Sequence, residues 1–176
     1  MSISFIDEAP QIIKDYLFYM QTVKGKSQKT VDEYYIDLRT FFRFIKLQRG
    51  FVPNDFEFEN ISISDVDLEL VKTVTLNDAY EFMNYIQRER KNQNVTRARK
   101  CSSLKGYFNY LATKKCVLDS NPVEQLEVPK KKKSLPKYLT LEQSLELLNA
   151  VDGDYKERDY CILTLFLNCG LRVSEM

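Results

Sequence analysis

Apolar residues recur at spacings of three and four through most of this chain, a period that builds helices and does not suit half-buried strands. Ile12, Ile13, Tyr16, Leu17, Met20 and Val23 form a first stripe, with Asp7 as a candidate cap, Pro10 in the first turn and Gly25 as the stop. A second helix is predicted from a Ser27 cap through Val31, Tyr34, Tyr35, Leu38, Phe41, Phe42 and Ile45, ending at Gly50. A third starts at Thr75, with Asp78 three residues on, and carries Leu76, Ala79, Tyr80, Met83 and Ile86. The fourth begins near Asn94 and buries Ala98, Cys101, Leu104, Phe108 and Leu111. Each stripe is about 100° wide or more, so four such helices can close a common core. Strand alternation is nearly absent, and the fold class expected is all-α.

Two stretches break the helical pattern. Residues 51–71 carry Asp55, Glu57, Glu59, Asp65, Asp67 and Glu69 and no Lys or Arg, which reads as a long acidic, solvated connection with a short helix near Asp65–Val71. Further on, Pro122, Pro129 and Pro136 surround Lys130–Lys133. Prolines remove backbone donors and adjacent ammoniums repel one another, so an extended basic linker is predicted there. After it, Thr140 and Gln143 form a capping box for Leu141–Val151, and the apolar run Tyr160–Cys169 suits a buried core helix closed by a left-handed Gly170. The organisation expected is a helical domain over 1–115, a basic linker over 116–138, and the start of a second domain over 139–176.

Composition closes several routes. The 176 residues contain no His, which excludes a Ser-His-Asp triad, a histidine base or a histidine-bearing zinc site within the chain. Cys101, Cys116, Cys161 and Cys169 include no CxxC pair, so neither a zinc ribbon nor a disulfide scaffold is expected, and no metal or cofactor. No apolar run approaches the ~18 residues that span a bilayer. Met1–Pro10 lacks the basic and apolar regions of a signal peptide. A soluble, cytoplasmic setting without a membrane partner is the expectation.

Net charge is +1, yet the charges are unevenly placed. Asn94–Cys116 holds Arg97, Arg99, Lys100, Lys105, Lys114 and Lys115 and no acid, while Lys24, Lys26 and Lys29 gather at the start of the second helix. Hydroxyls accompany them at Ser27, Thr30, Thr96, Ser102 and Ser103. Helix N-termini offer unpaired amides and a positive dipole end, which suit phosphate oxygens, and neighbouring basic side chains add charge-assisted bonds. Arg99, Ser102 and Lys105 lie close to one helical face. From charge alone, a solvated basic face fits equally well.

Four segments carry a family resemblance. Thr96-Arg97-Ala98-Arg99, followed by Ser102, Lys105 and Phe108-Asn109-Tyr110-Leu111, resembles the DNA-contacting helix of tyrosine recombinases of the phage-integrase and Xer type. Ser27, Thr30 and Tyr34, with Asp37-Leu38 and Phe41-Phe42, is similar to that family's earlier DNA-facing helix. Asn121-Pro122, the Lys run, Leu135-Pro136 and Leu139-Thr140 resemble its interdomain linker. Cys169-Gly170-Leu171-Arg172-Val173-Ser174-Glu175 looks like the motif of its first catalytic arginine. The four stand in the family's order.

The resemblance implies a SAM-like, four-helix core-binding domain, then a basic linker and the first helices of a mainly-α catalytic domain. It implies double-stranded DNA as partner, contacted by Lys26, Ser27, Lys29, Thr30, Thr96, Arg97, Arg99, Lys100, Ser102 and Lys105 and by Lys131, Lys132 and Lys133 of the linker. The family cuts and rejoins DNA through a 3′-phosphotyrosyl intermediate, usually as four protomers on paired sites, in bacteria, phages and mobile elements. Arg172 matches the arginine that steadies the charge on the scissile phosphate, a task suited to a planar, permanently charged fork. Glu175 matches the acid that orients that pocket. The family's strand Lys, His-x-x-Arg pair and nucleophilic Tyr should lie beyond Arg172, and nothing here matches them, so this chain alone is expected not to cut DNA. A non-catalytic helical module that binds DNA or protein is the alternative reading.

Overall fold

The structure, a computed structural model, describes residues 9–53, 55–128 and 137–176. Among the described residues there are seven α-helices, two short 3₁₀ turns and no strand, as the periodicity requires. They form two compact units, one within 9–128 and one within 137–176.

The first unit holds α1 (Gln11–Thr22), α2 (Gln28–Gln48), α3 (Leu68–Lys72), α4 (Leu76–Arg88) and α5 (Asn94–Thr113). The helix ends are written locally. Pro10 is the N-cap of α1, with extended backbone, and Asp7 lies outside the described residues. Gly25 and Gly50 take left-handed φ values of 61° and 69°, which glycine adopts without a Cβ clash. Ser27 caps α2 by accepting the Thr30 N–H, and Thr75 with Asp78 closes a reciprocal capping box on α4.

The core is aromatic. Phe41 and Phe42 of α2 meet Phe82 of α4 and Tyr107 and Phe108 of α5 in edge-on pairs with centroids 5.2–6.3 Å apart, the geometry that ring quadrupoles favour. Buried Ile13, Tyr16 and Leu17 bring α1 into the same cluster. Helix α5 runs through the middle of this cluster and buries Ala98, Cys101, Leu104, Tyr107, Phe108 and Leu111.

The first break in the periodicity, and the described residues at the start of the second, are more ordered than a solvated connection. Ile61, Ile63, Val66 and Val71 insert into the core, with a 3₁₀ turn at Phe58–Asn60 just before them and α3 carrying Val71. The acids of this stretch serve the basic side of α2: Arg43 donates to Glu59 (2.8 Å), and Lys46 donates to Asp65 (2.7 Å) and to the Ser62 carbonyl (2.9 Å). Arg90, just beyond α4, also reaches Glu59 at 2.8 Å. The stretch after α5 likewise folds back, burying Val123 and Leu126, with Lys105 donating to the Leu126 carbonyl at 3.1 Å. The first unit therefore continues past residue 115, where an extended linker was expected to begin. Val123 and Leu126 supply enough apolar surface to hold it there.

The second unit contains α6 (Leu141–Asn149) and α7 (Lys156–Cys169), packed on each other. Thr140 and Gln143 form the predicted capping box, and Gly170 closes α7 at φ 62°. The expectation of a buried core helix over Tyr160–Cys169 is corrected here: no residue of α7 is buried, and Tyr160 and Leu165 are exposed. Within this unit the two short helices pack on each other, and one partner cannot enclose a helix that is apolar on most sides.

Candidate nucleic-acid interface

The two basic helix starts singled out in the sequence belong to neighbours that run the same way along a shared face. Going forward along α2, Glu33 meets Arg99, Asp37 meets Lys100 and Ser103, and Phe41 and Phe42 meet Phe108 and Tyr107 of α5. Moving forward along α2 thus moves forward along α5. The N-termini of α2 and α5 stand at the same end of this shared face. At the start of α2, Lys26, Ser27 and Lys29 are exposed and Thr30 is half-buried. Ser27 is tied into the turn by the Thr30 N–H and by the Thr30 hydroxyl at 3.0 Å, which leaves the lysines flanking the first turn of the helix.

The joint between α2 and α5 is organised around a carboxylate. Asp37 is fully buried and accepts from Arg99 Nη1 (2.6 Å), Lys100 Nζ (2.9 Å) and the Ser103 hydroxyl (2.7 Å). A buried charge is tolerable when it is paired and fully hydrogen-bonded, which this one is. Lys100 is itself 5% exposed, so its ammonium serves the joint between α2 and α5 and does not face a phosphate. Lys100 thus lies inside the joint, where the resemblance implies a DNA contact, because withdrawing it would strand the charge of the buried Asp37. Arg99 is half-exposed and also reaches the Glu33 carboxylate (2.9 Å) and the Glu33 carbonyl (3.2 Å).

The remaining candidates divide. Arg97 is engaged by Gln87 and by Asn94 (2.6 Å), Thr96 is half-buried, and Lys105 is drawn to Leu126. Ser102 is exposed, its hydroxyl donating to the Ala98 carbonyl at 3.0 Å. Lys131, Lys132 and Lys133 lie outside the described residues. Asp37 and Glu33 are what the run of basic residues in α5 concealed, because their sequence distance from it is more than sixty positions. The available signal was local: Asp37 falls on the apolar stripe of α2, three residues after Tyr34 and four before Phe41.

In the second unit, Arg172 follows Gly170 and opens a 3₁₀ turn, Val173–Glu175. The Glu175 carboxylate accepts the Arg172 backbone N–H at 2.7 Å and one guanidinium nitrogen at 3.2 Å. The arginine side chain is 83% exposed, its fork held from one side by a single acid. Among the described residues, no cluster of His, Cys, Asp or Glu has a metal-binding arrangement, and no helix is long and apolar enough to cross a membrane.

Comparison with known proteins decides the family. The tyrosine recombinase XerC of Caldanaerobacter subterraneus is 50% identical over 167 residues, which is 95% of this chain and 47% of that protein. The chain belongs to the tyrosine recombinases. A tyrosine recombinase of Pseudothermotoga lettingae and the tyrosine recombinase XerD of Listeria innocua are each 30% identical over 167 residues, covering 94% of this chain and 51% and 50% of those proteins. No family model and no solved structure matches. The chain spans about half the length of these tyrosine recombinases. A match of 167 residues is longer than the first unit, so the likeness extends into the second, where Arg172 lies.

Proposed function

We propose that this chain is the DNA-clamping, N-terminal part of a site-specific tyrosine recombinase of the Xer type. The α2–α5 face lies against the backbone of a DNA duplex, and the linker lysines Lys131–Lys133 add charge as the chain passes from one domain to the next. The observation that carries the reading is the 50% identity to a tyrosine recombinase along 95% of the chain. The exposed Lys26 and Lys29 beside the first turn of α2 support it, because unpaired amides and ammoniums together form a phosphate site.

In the whole protein, acting in the bacterial cytoplasm as four protomers on paired sites, a tyrosine outside this chain attacks the scissile phosphate. Negative charge then grows on the non-bridging oxygens, and in this reading the Arg172 fork donates to them while Glu175 orients the guanidinium. Removing one such donor costs on the order of 10²–10³ in rate.

The test is duplex binding as a function of salt. Each phosphate neutralised steepens the slope of log affinity against log salt by about 0.9. Charge reversal of Lys26 and Lys29 together is expected to flatten that slope by close to two such steps. An unchanged slope would remove the α2 end from the interface, and a chain that binds no duplex at low salt would remove the DNA reading altogether.

A further inference from the structure

We infer that Glu33 is a carboxylate latch on Arg99, occupying in the free protein the place that a DNA phosphate takes in the complex. The inference deepens the DNA-binding reading and rests on it.

The charges around Arg99 fall into two pairs of different character. Asp37 and Lys100 are both buried and 2.9 Å apart, each the other's neutralising partner inside the joint. Neither can leave without stranding a buried charge. Arg99 and Glu33 form the outer pair, at 2.9 Å, with side chains 35% and 43% exposed. Here one partner is anchored and the other is not. Arg99 Nη1 is fixed by Asp37 at 2.6 Å and by the Glu33 carbonyl at 3.2 Å, so its guanidinium stays in place when the Glu33 carboxylate turns away. The Glu33 carboxylate, by contrast, sits at the solvent edge, where a rotamer change carries it into water at little cost.

A carboxylate oxygen and a phosphate oxygen are the same kind of acceptor for a guanidinium. A duplex laid on the α2–α5 face therefore presents Arg99 with a choice between two anions. If the phosphate takes Nη1, Glu33 is both displaced and repelled by the backbone. The latch thus lowers affinity for DNA in general, and it keeps the guanidinium ordered while no DNA is bound.

The test measures duplex affinity at fixed salt in a double-mutant cycle, using the whole chain and a labelled random-sequence duplex. Glu33→Gln keeps the side-chain volume and a hydrogen-bond acceptor while removing the charge. It is expected to tighten binding roughly three- to tenfold. In an Arg99→Ala background the same substitution is expected to gain little, because no guanidinium is left to release. No tightening, or equal tightening with and without Arg99, would overturn it, the latter by reducing Glu33 to ordinary long-range repulsion. Wild-type binding measured alongside, with the Lys26 and Lys29 variants, separates failure of the latch from failure of the DNA reading.

Discussion

One residue pair in the core shows how closely α1 and α5 approach. The Tyr16 ring is buried against Tyr107 and Tyr110, centroids 5.5 and 5.4 Å away, and its hydroxyl has no hydrogen-bond partner among the described residues. Burial pushes that hydroxyl well above the ordinary tyrosine range. A Cβ placed on Gly106 would stand 2.7 Å from the Tyr16 oxygen but 3.8 Å from the ring carbon that bears it. Because the ring is wedged between two others, it cannot swing aside. Gly106→Ala is therefore expected to destabilise the first unit by about 1–3 kcal/mol despite the better helix propensity of alanine. In a Tyr16→Phe background the clash is gone, and the same substitution should gain up to about 1 kcal/mol. Urea midpoints of the four proteins check both signs, and a loss of equal size in both backgrounds would place the strain elsewhere. None of this was legible in the sequence, where Tyr16 reads as one more apolar position and nothing marks Gly106. Helix spacing fixes which face a residue occupies, not how far apart two faces stand. Asp37 was missed for a related reason, since its partners arrive from a helix more than sixty residues away.

At the scale of elements, the caps were readable and the connections were not. Ser27, Thr75 and Thr140 each accept the backbone N–H three residues on, so a short sequence pattern was enough to place three helix starts. The acidic stretch before α3 is held instead by cations from α2 and from beyond α4, and sequence windows do not see such pairings. Its titration should betray them. The hydrogen bond from Arg90, opposed by partial burial and aided by the charges of Arg90, Arg43 and Arg39, holds the Glu59 carboxyl below its ordinary 4.5. A group depressed on folding adds stability above its unfolded value and loses it as pH falls through the folded one. The first unit thus keeps the full Glu59 contribution at neutral pH and is expected to weaken progressively below about pH 4.5. Glu59 is half-exposed, so its share is held to under about 1 kcal/mol. Glu59→Gln should show that loss already at pH 7 and a shallower acid decline in urea midpoint. Parallel declines in both proteins would mean that Glu59 gains nothing from its arginines.

For the molecule as a whole, the two units differ in what secures their helices. In the first, Phe41, Phe42, Leu104 and Phe108 are fully buried, so opening any one helix exposes the shared core. In the second, α6 and α7 bury no residue, and Leu141, Leu145, Tyr160 and Leu165 stand exposed. Helices of this length are marginal without tertiary packing. Apolar surface of this kind is what a further layer would cover, which agrees with a chain spanning about half the length of its recombinase relatives. Local spacing predicted α7 as a helix correctly, yet its burial depends on what packs around it, and that is not a property of fourteen residues. Amide hydrogen exchange reads the difference directly. Amides of Phe41, Phe42, Leu104 and Phe108 are expected to exchange only through global unfolding of the first unit. Those of Ile162, Leu163 and Phe166 in α7 should open at a cost of no more than ~1 kcal/mol. Addition of urea below the midpoint should then erase α7 protection while leaving that of α2 and α5 intact. Should α7 exchange as slowly as α5 at every urea concentration, its exposed leucines would have to be covered in solution, and the helix pair would not stand alone.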